Sequence, residues 1–190
     1  MAKAELPTIA TAMMLFALGF GGRIALHDYH NFETIMVSVF LVSMLLPAGI
    51  ALTVTLSMIV FSDIYLGYFG ASKILIFTYT GFLMVSIITS RFQQRIKGEF
   101  RPGTVYKFTA SGLVFATIYD TWTNFGVFWL SYAHTPENLM LVYGLGLPFM
   151  LYHLLSSVIT FTVIGFPVYC ALSSKDVNHK ILDQRKELEA

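Results

Sequence analysis

The residue types that carry most chemistry are scarce in this chain. One cysteine, Cys170, stands among 190 residues, which excludes an internal disulfide and any cysteine-built metal site. Charged residues make up 12%, against roughly 25% in a soluble domain. No HExxH pair, no GxSxG elbow and no GxxxxGK[ST] phosphate loop occurs, so the chemistries those motifs carry are not expected. The net charge is +1, and no basic patch interleaves with aromatic residues, which sets nucleic-acid partners aside. Met1 to Glu5 is mixed in charge and the first apolar stretch has no small-x-small cleavage site. That stretch is therefore read as a retained helix, not a removed signal.

What the chain does have is length of apolar sequence. Hydrophobic residues make up 56%, and they come in long runs rather than in alternation or single stripes. This predicts an all-α fold: an integral membrane bundle of helical crossings. The runs are Pro7–Ile24, Phe32–Leu46, Ile50–Leu66, Lys73–Ser90, Thr104–Leu130 and Val142–Leu172. As one helix, Phe32–Leu66 would be about 50 Å long at 1.5 Å per residue, too long for a hydrocarbon core of about 30 Å. Pro47-Ala48-Gly49 supplies a tight turn between two short crossings. Pro148 and Pro167 interrupt the last run near its start and its end. Thr8, Ala10, Thr11, Ala12 and the pair Ala17/Gly21 on the first run are small enough for a close helix contact. Residues 1–173 form one six-helix transmembrane domain in this reading, and residues 174–190 a mixed-charge tail.

Charge distribution orients the bundle. Six crossings put Lys3, the basic loop with Arg91, Arg95, Lys97 and Arg101, and the tail with Lys175, Lys180, Arg185 and Lys186 on one side. Arg23 and Lys73 alone mark the other boundary. The positive-inside rule then makes both termini cytoplasmic and the protein a multi-pass protein of the cell membrane.

Polar residues gather on the opposite, outer side. The first outer loop holds His27, Asp28, His30, Asn31 and Glu33. Asp63 and Tyr65 end the third run. Tyr119, Asp120, Thr121, Trp122, Thr123 and Asn124 lie inside the fifth run, and His134, Glu137 and Asn138 follow in the loop Ser131–Leu141. Asp120 is about 24 Å from Thr104 along a helix, below the outer surface but not at the centre. Asp120 and Asn124 share a helix face. Ionisable groups inside a membrane segment are costly and default to a functional reading. Candidate substrate-binding residues are therefore His27, His30, Asn31, Glu33, Asp63, Tyr119, Asp120, Trp122, Thr123, Asn124 and His134, with the two outer loops as lids. Each has a plainer alternative. Asp120 could be a carboxylate bonded to a neighbouring helix, and Asn124 could join helices. Asp63 could anchor its helix end, Trp122 and Trp129 could be interface residues, and His153 could be a hydrogen-bonded core histidine. A metal held by His27, His30, His134 and Glu33 is weighed and not adopted, and no cofactor is expected.

The stretches GRIALHDYHNFETI, MIVFSDIYLGYF and TNFGVFWLSYAHTPENLMLVYGLGLPF resemble a branch of uncharacterised six-helix membrane proteins. Those are similar to the substrate-binding S components of energy-coupling factor (ECF) transporters. The resemblance runs from Gly22 to Tyr169. It implies capture of a vitamin or similar small molecule from outside, and a transmembrane coupling protein with ATPase subunits as partner. Thr8, Ala12 and Ala17 lie where S components dock. The Met-x-His-His start of nickel- and cobalt-specific relatives is absent, since the chain begins Met1-Ala2-Lys3-Ala4. The expected function is thus non-enzymatic substrate capture, with a scaffold subunit of a larger membrane complex as the alternative.

Overall fold

The computed structural model describes residues 6–29, 34–92 and 102–173. Among these there are helices and turns but no strand. Six helices follow in order: α1 Leu6–Ala25, α2 Ile35–Leu45, α3 Ala48–Tyr65, α4 Leu75–Phe92, α5 Pro102–Ser131 and α6 Pro136–Ile159. Beyond α6 the chain passes through a π-helical turn, Thr160–Gly165, and stays helical to residue 173.

The break at Pro47 is tighter than the sequence implies. Leu46 is extended, Pro47 caps α3, and Ala48 and Gly49 are already helical. Proline ends α2 because it forces its predecessor out of helical geometry. α6 begins earlier than the apolar run. Thr135 accepts a hydrogen bond from the Asn138 N–H and Pro136 fills the first turn, a pairing that starts helices in polar sequence. The expected lid Ser131–Leu141 therefore shrinks to a short link between α5 and α6. Pro148 does not interrupt α6, which runs through it. The irregularity lies at Thr160–Gly165, just before Pro167. A widened turn is one way to accommodate a ring that lacks an N–H and crowds the preceding carbonyl.

α2 is the centre of the bundle. Ten of its eleven residues are buried, and it packs against α1, α3, α4, α5 and the π turn. Its side chains are apolar on every face apart from Ser38 and Ser43, as a helix surrounded by others should be. Phe40 meets Phe108 edge-on at 5.0 Å and Phe161 at 5.2 Å between ring centroids. Phe108 also packs on Phe166 and Tyr169. Gly112 and Gly165 permit these contacts. A β-carbon on the first would enter the Phe161 ring, and one on the second would meet Val37 and Phe108. The close approach of α1 uses Gly19, against Ser38 and Met58, and Gly22, against Thr34. The expected pair does not make it: Ala17 is exposed and nothing lies near a β-carbon on Gly21. Side-chain oxygens join the helices further. Ser43 bonds Ser86 at 2.7 Å, Thr109 bonds Thr162 at 2.8 Å, and the Thr34 hydroxyl donates to the Leu18 carbonyl at 2.8 Å. In a lipid-surrounded bundle such bonds average about 0.6 kcal/mol each, and packing supplies most of the rest.

Among the described residues three stretches are long and apolar enough to cross a membrane: Thr8–Ala25, Ala48–Tyr65 and Pro136–Ser173. α2 and α4 are apolar but shorter. At 11 residues α2 is about 16 Å long. α5 has the length, with 30 residues, but polar residues in both halves, Lys107 and then Asp120 to Asn124, keep it out of that set.

Candidate functional site

Among the described residues two buried carboxylates mark the polar interior, one on each side of α4. The first, Asp63, sits in the last turn of α3 and is fully buried. A negative charge at a helix C-terminus opposes the helix dipole, so it needs compensation from elsewhere. Arg23, in the last turn of α1, supplies it. Its Nη1 stands 2.8 Å from Asp63 Oδ1, a charge contact that lacks the alignment of a hydrogen bond. The same nitrogen donates to Ser62 Oγ at 2.7 Å. From α4, the Tyr79 hydroxyl donates to Asp63 Oδ2 at 2.8 Å. The Asp63 carbonyl accepts from the N–H groups of Tyr68 and Phe69, which folds the α3–α4 link back. Gly67 and Gly70 take the left-handed backbone that this link requires, at φ 77° and 76°.

The second carboxylate is Asp120 of α5, 5% exposed. Its Oδ1 lies 2.6 Å from Nδ1 of His153 on α6, a pair that is buried on both sides. Its Oδ2 is buried and has no hydrogen-bond partner among the described residues. Tyr119 stands edge-on to His153, with ring centroids 6.0 Å apart, and packs on Phe82 at 4.5 Å. One turn on, the Asn124 side chain lies against Gly146 of α6, where a β-carbon would displace it. The Tyr143 hydroxyl donates to the Thr121 carbonyl at 2.9 Å. α5 and α6 are thus joined along their polar stretch by a carboxylate–imidazole hydrogen bond, an amide–glycine contact and a hydroxyl bond.

An aromatic ladder continues along α5. The Trp122 indole N–H donates to Thr80 Oγ1 of α4 at 2.9 Å. Its ring meets Phe77 and stacks on Phe125, which stacks on Trp129. His134 stacks on Trp129 at 4.4 Å and bonds its carbonyl through Nε2 at 3.1 Å. α4 stands between the two carboxylate clusters. It sends Tyr79 to Asp63, and Thr80 and Gly81 to Trp122 and Tyr119.

A family model matches residues 2–180, and its description is a family of unknown function, DUF6580. The chain belongs to the DUF6580 family. Comparisons with curated proteins and with solved structures find no match, and the family match carries no link to ECF S components.

Within this DUF6580 chain the expected site residues fall into separate places. Asp63 belongs to the α1–α3–α4 cluster, and Asp120, Tyr119 and Asn124 to the α5–α6 seam. Trp122 and His134 belong to the aromatic ladder. Thr123 turns its hydroxyl back to the Tyr119 carbonyl of its own helix, at 3.1 Å. His27 bonds the Tyr68 hydroxyl at 2.8 Å on the exposed surface, which ties the segment after α1 to the α3–α4 link. His30, Asn31 and Glu33 lie outside the described residues. Among the described residues no three His, Cys, Asp or Glu side chains gather as a metal would need.

Two partners in this DUF6580 chain were not singled out from sequence as such: Arg23 for Asp63, and His153 for Asp120. Both had a readable signal. A buried carboxylate requires a donor or a cation. Arg23 stands at the end of the first apolar run, and His153 is the histidine inside the last one. Tyr79 gave no signal, since a tyrosine in an apolar helix looks like any aromatic residue.

Proposed function

We propose that this protein is an integral membrane protein of the cell membrane, with both termini in the cytoplasm. In this reading it captures a vitamin or similar small molecule from outside, in the manner of ECF S components. Capture itself is non-enzymatic, and uptake is driven by a coupling protein with ATPase subunits. The observation that carries the capture reading is Asp120 Oδ2. It is an acceptor buried in an apolar bundle, held by His153 through its neighbour oxygen, and without a donor of its own among the described residues. Buried acceptors are almost always satisfied, so an unfilled one invites a donor from a bound molecule. Asn124, a turn away on the same helix, offers a second polar group. The three long apolar stretches support the membrane placement. Opening of the α5–α6 seam would admit the ligand.

The test is to purify the protein in mild detergent and identify what copurifies by mass spectrometry. The capture reading expects one small molecule with an N–H or O–H donor, at near-equimolar amount, and an α5–α6 variant that loses it. Protein from several growth media that carries no small molecule contradicts it.

A second reading, a non-catalytic subunit of a larger membrane complex, draws on the engaged faces of Trp122. Phe77 and Phe125 already pack on that ring, leaving less of it for a flat ligand. A stable copurifying complex without ATPases favours it.

A further inference from the structure

A cleft of about 500 Å³ lies between α4 and α5, away from both carboxylates, with α2 as its floor. It falls in the half of the bundle where α4 ends and α5 begins. Phe40 and Met44 form the floor, and Val85 and Phe115 form the walls. Ile88, Val114 and Tyr106 line it too and are exposed, at 37%, 58% and 75%, so the cleft opens sideways, out of the bundle. One charged side chain lines it, Lys107, which is exposed. The volume is that of a small-molecule site, and an apolar wall with a few polar groups, here Thr89, Ser111 and Lys107, is the usual make-up of such a site. A single cation at the edge of an apolar slot selects an amphiphile with an anionic head. A lysine stem can lie along the slot while its ammonium reaches the head-group level. Arg91, exposed in the last turn of α4 one turn beyond Ile88, lies outside the lining.

We propose that this cleft seats an acyl chain of an anionic phospholipid from the surrounding bilayer, with Lys107 paired to the head-group phosphate. The inference rests on the membrane placement above but not on substrate capture. On the cytoplasmic side, where that placement puts this half, anionic lipids are concentrated. The bound lipid would fill a gap that the helices leave open beside Phe40 and Phe115, and so stiffen the α2–α4–α5 contact.

Native mass spectrometry of the detergent-solubilised protein, titrated separately with phosphatidylglycerol and phosphatidylcholine, tests this. The wild type should retain one phosphatidylglycerol and far less phosphatidylcholine. Lys107→Glu, on an exposed residue, should lower phosphatidylglycerol retention about tenfold with an unchanged circular dichroism spectrum. Ala110→Trp, which fills the cleft, should abolish retention of either lipid. Equal retention of the two lipids, or undiminished retention by Lys107→Glu, overturns the proposal. Alkaline carbonate extraction of host membranes separates the possible failures. Protein released by carbonate refutes the membrane placement itself, whereas protein that stays in the membrane but shows no lipid preference refutes only the cleft proposal.

Discussion

Asp63 and Asp120 are both carboxylates buried in an apolar helical bundle, yet they are held differently. Asp63 draws on three helices, and both of its oxygens are faced, one by Arg23 and one by Tyr79. Asp120 draws on two helices, and among the described residues only one of its oxygens is faced, by His153. Burial alone therefore does not mark a site. Asp63 reads as a lock that ties α1, α3 and α4 at one end, and its charge is compensated within the fold. Asp120 ties α5 to α6 and keeps an acceptor in reserve. Each has one oxygen without an aligned hydrogen bond, but that of Asp63 faces a guanidinium, whereas that of Asp120 faces neither cation nor donor among the described residues, and this is the property a ligand can use.

Removing the cation of the lock should have the largest effect. Arg23→Met leaves Asp63 as an uncompensated buried charge, at a cost of about 3–5 kcal/mol, seen as lost folded yield or a collapsed melting transition in detergent. A stable Arg23→Met variant would mean that Asp63 is not held as a charged lock. His153→Leu should cost less, about 2–3 kcal/mol by thermal melting, because it strips a hydrogen bond from a buried carboxylate. If it matched Arg23→Met, the two clusters would be energetically alike and the contrast between them would fail. Tyr79→Phe removes one bond to Asp63 while Arg23 remains, for about 1.5 kcal/mol. Trp122→Phe keeps the stacking on Phe125 and loses only the bond to Thr80, about 0.6 kcal/mol by the same melt. A larger loss would move Trp122 from the ladder into the group that holds α4 to α5.

Much of this architecture could be read from the chain. Apolar runs and their polar breaks locate all six helices, with ends displaced by a few residues except at the start of α6. There Thr135 and Pro136 begin the helix inside polar sequence, and apolarity alone does not register a cap. The separation of α2 from α3 followed from length, since a helix over Phe32–Leu66 is too long for one crossing. The central place of α2 was not legible. A helix that is apolar on all faces looks the same whether lipid or other helices surround it. The close contacts of α1 were misassigned for a related reason. Spacing picks out Ala17 and Gly21, but only the direction of the neighbouring helix decides that Gly19 and Gly22 face it. For the carboxylates the sequence stated a need and not its answer. It required partners for Asp63 and Asp120, while the pairings with Arg23 and His153 close over 40 and 33 residues. Which oxygen stays unfilled is a matter of geometry that no spacing encodes.

The most direct measurement compares Asp120→Asn with Tyr79→Phe for retention of the copurifying small molecule, each set against its own melting midpoint. Asparagine can keep the Oδ1 bond to His153 while turning the free acceptor into a donor. The account predicts that Asp120→Asn lowers retention about tenfold or more with a midpoint near that of the wild type. Tyr79→Phe should lower the midpoint and leave retention unchanged. Retention that survives Asp120→Asn, or that falls in step with the midpoint in both variants, would contradict the assignment of Asp120 as the ligand's acceptor and leave it a second lock.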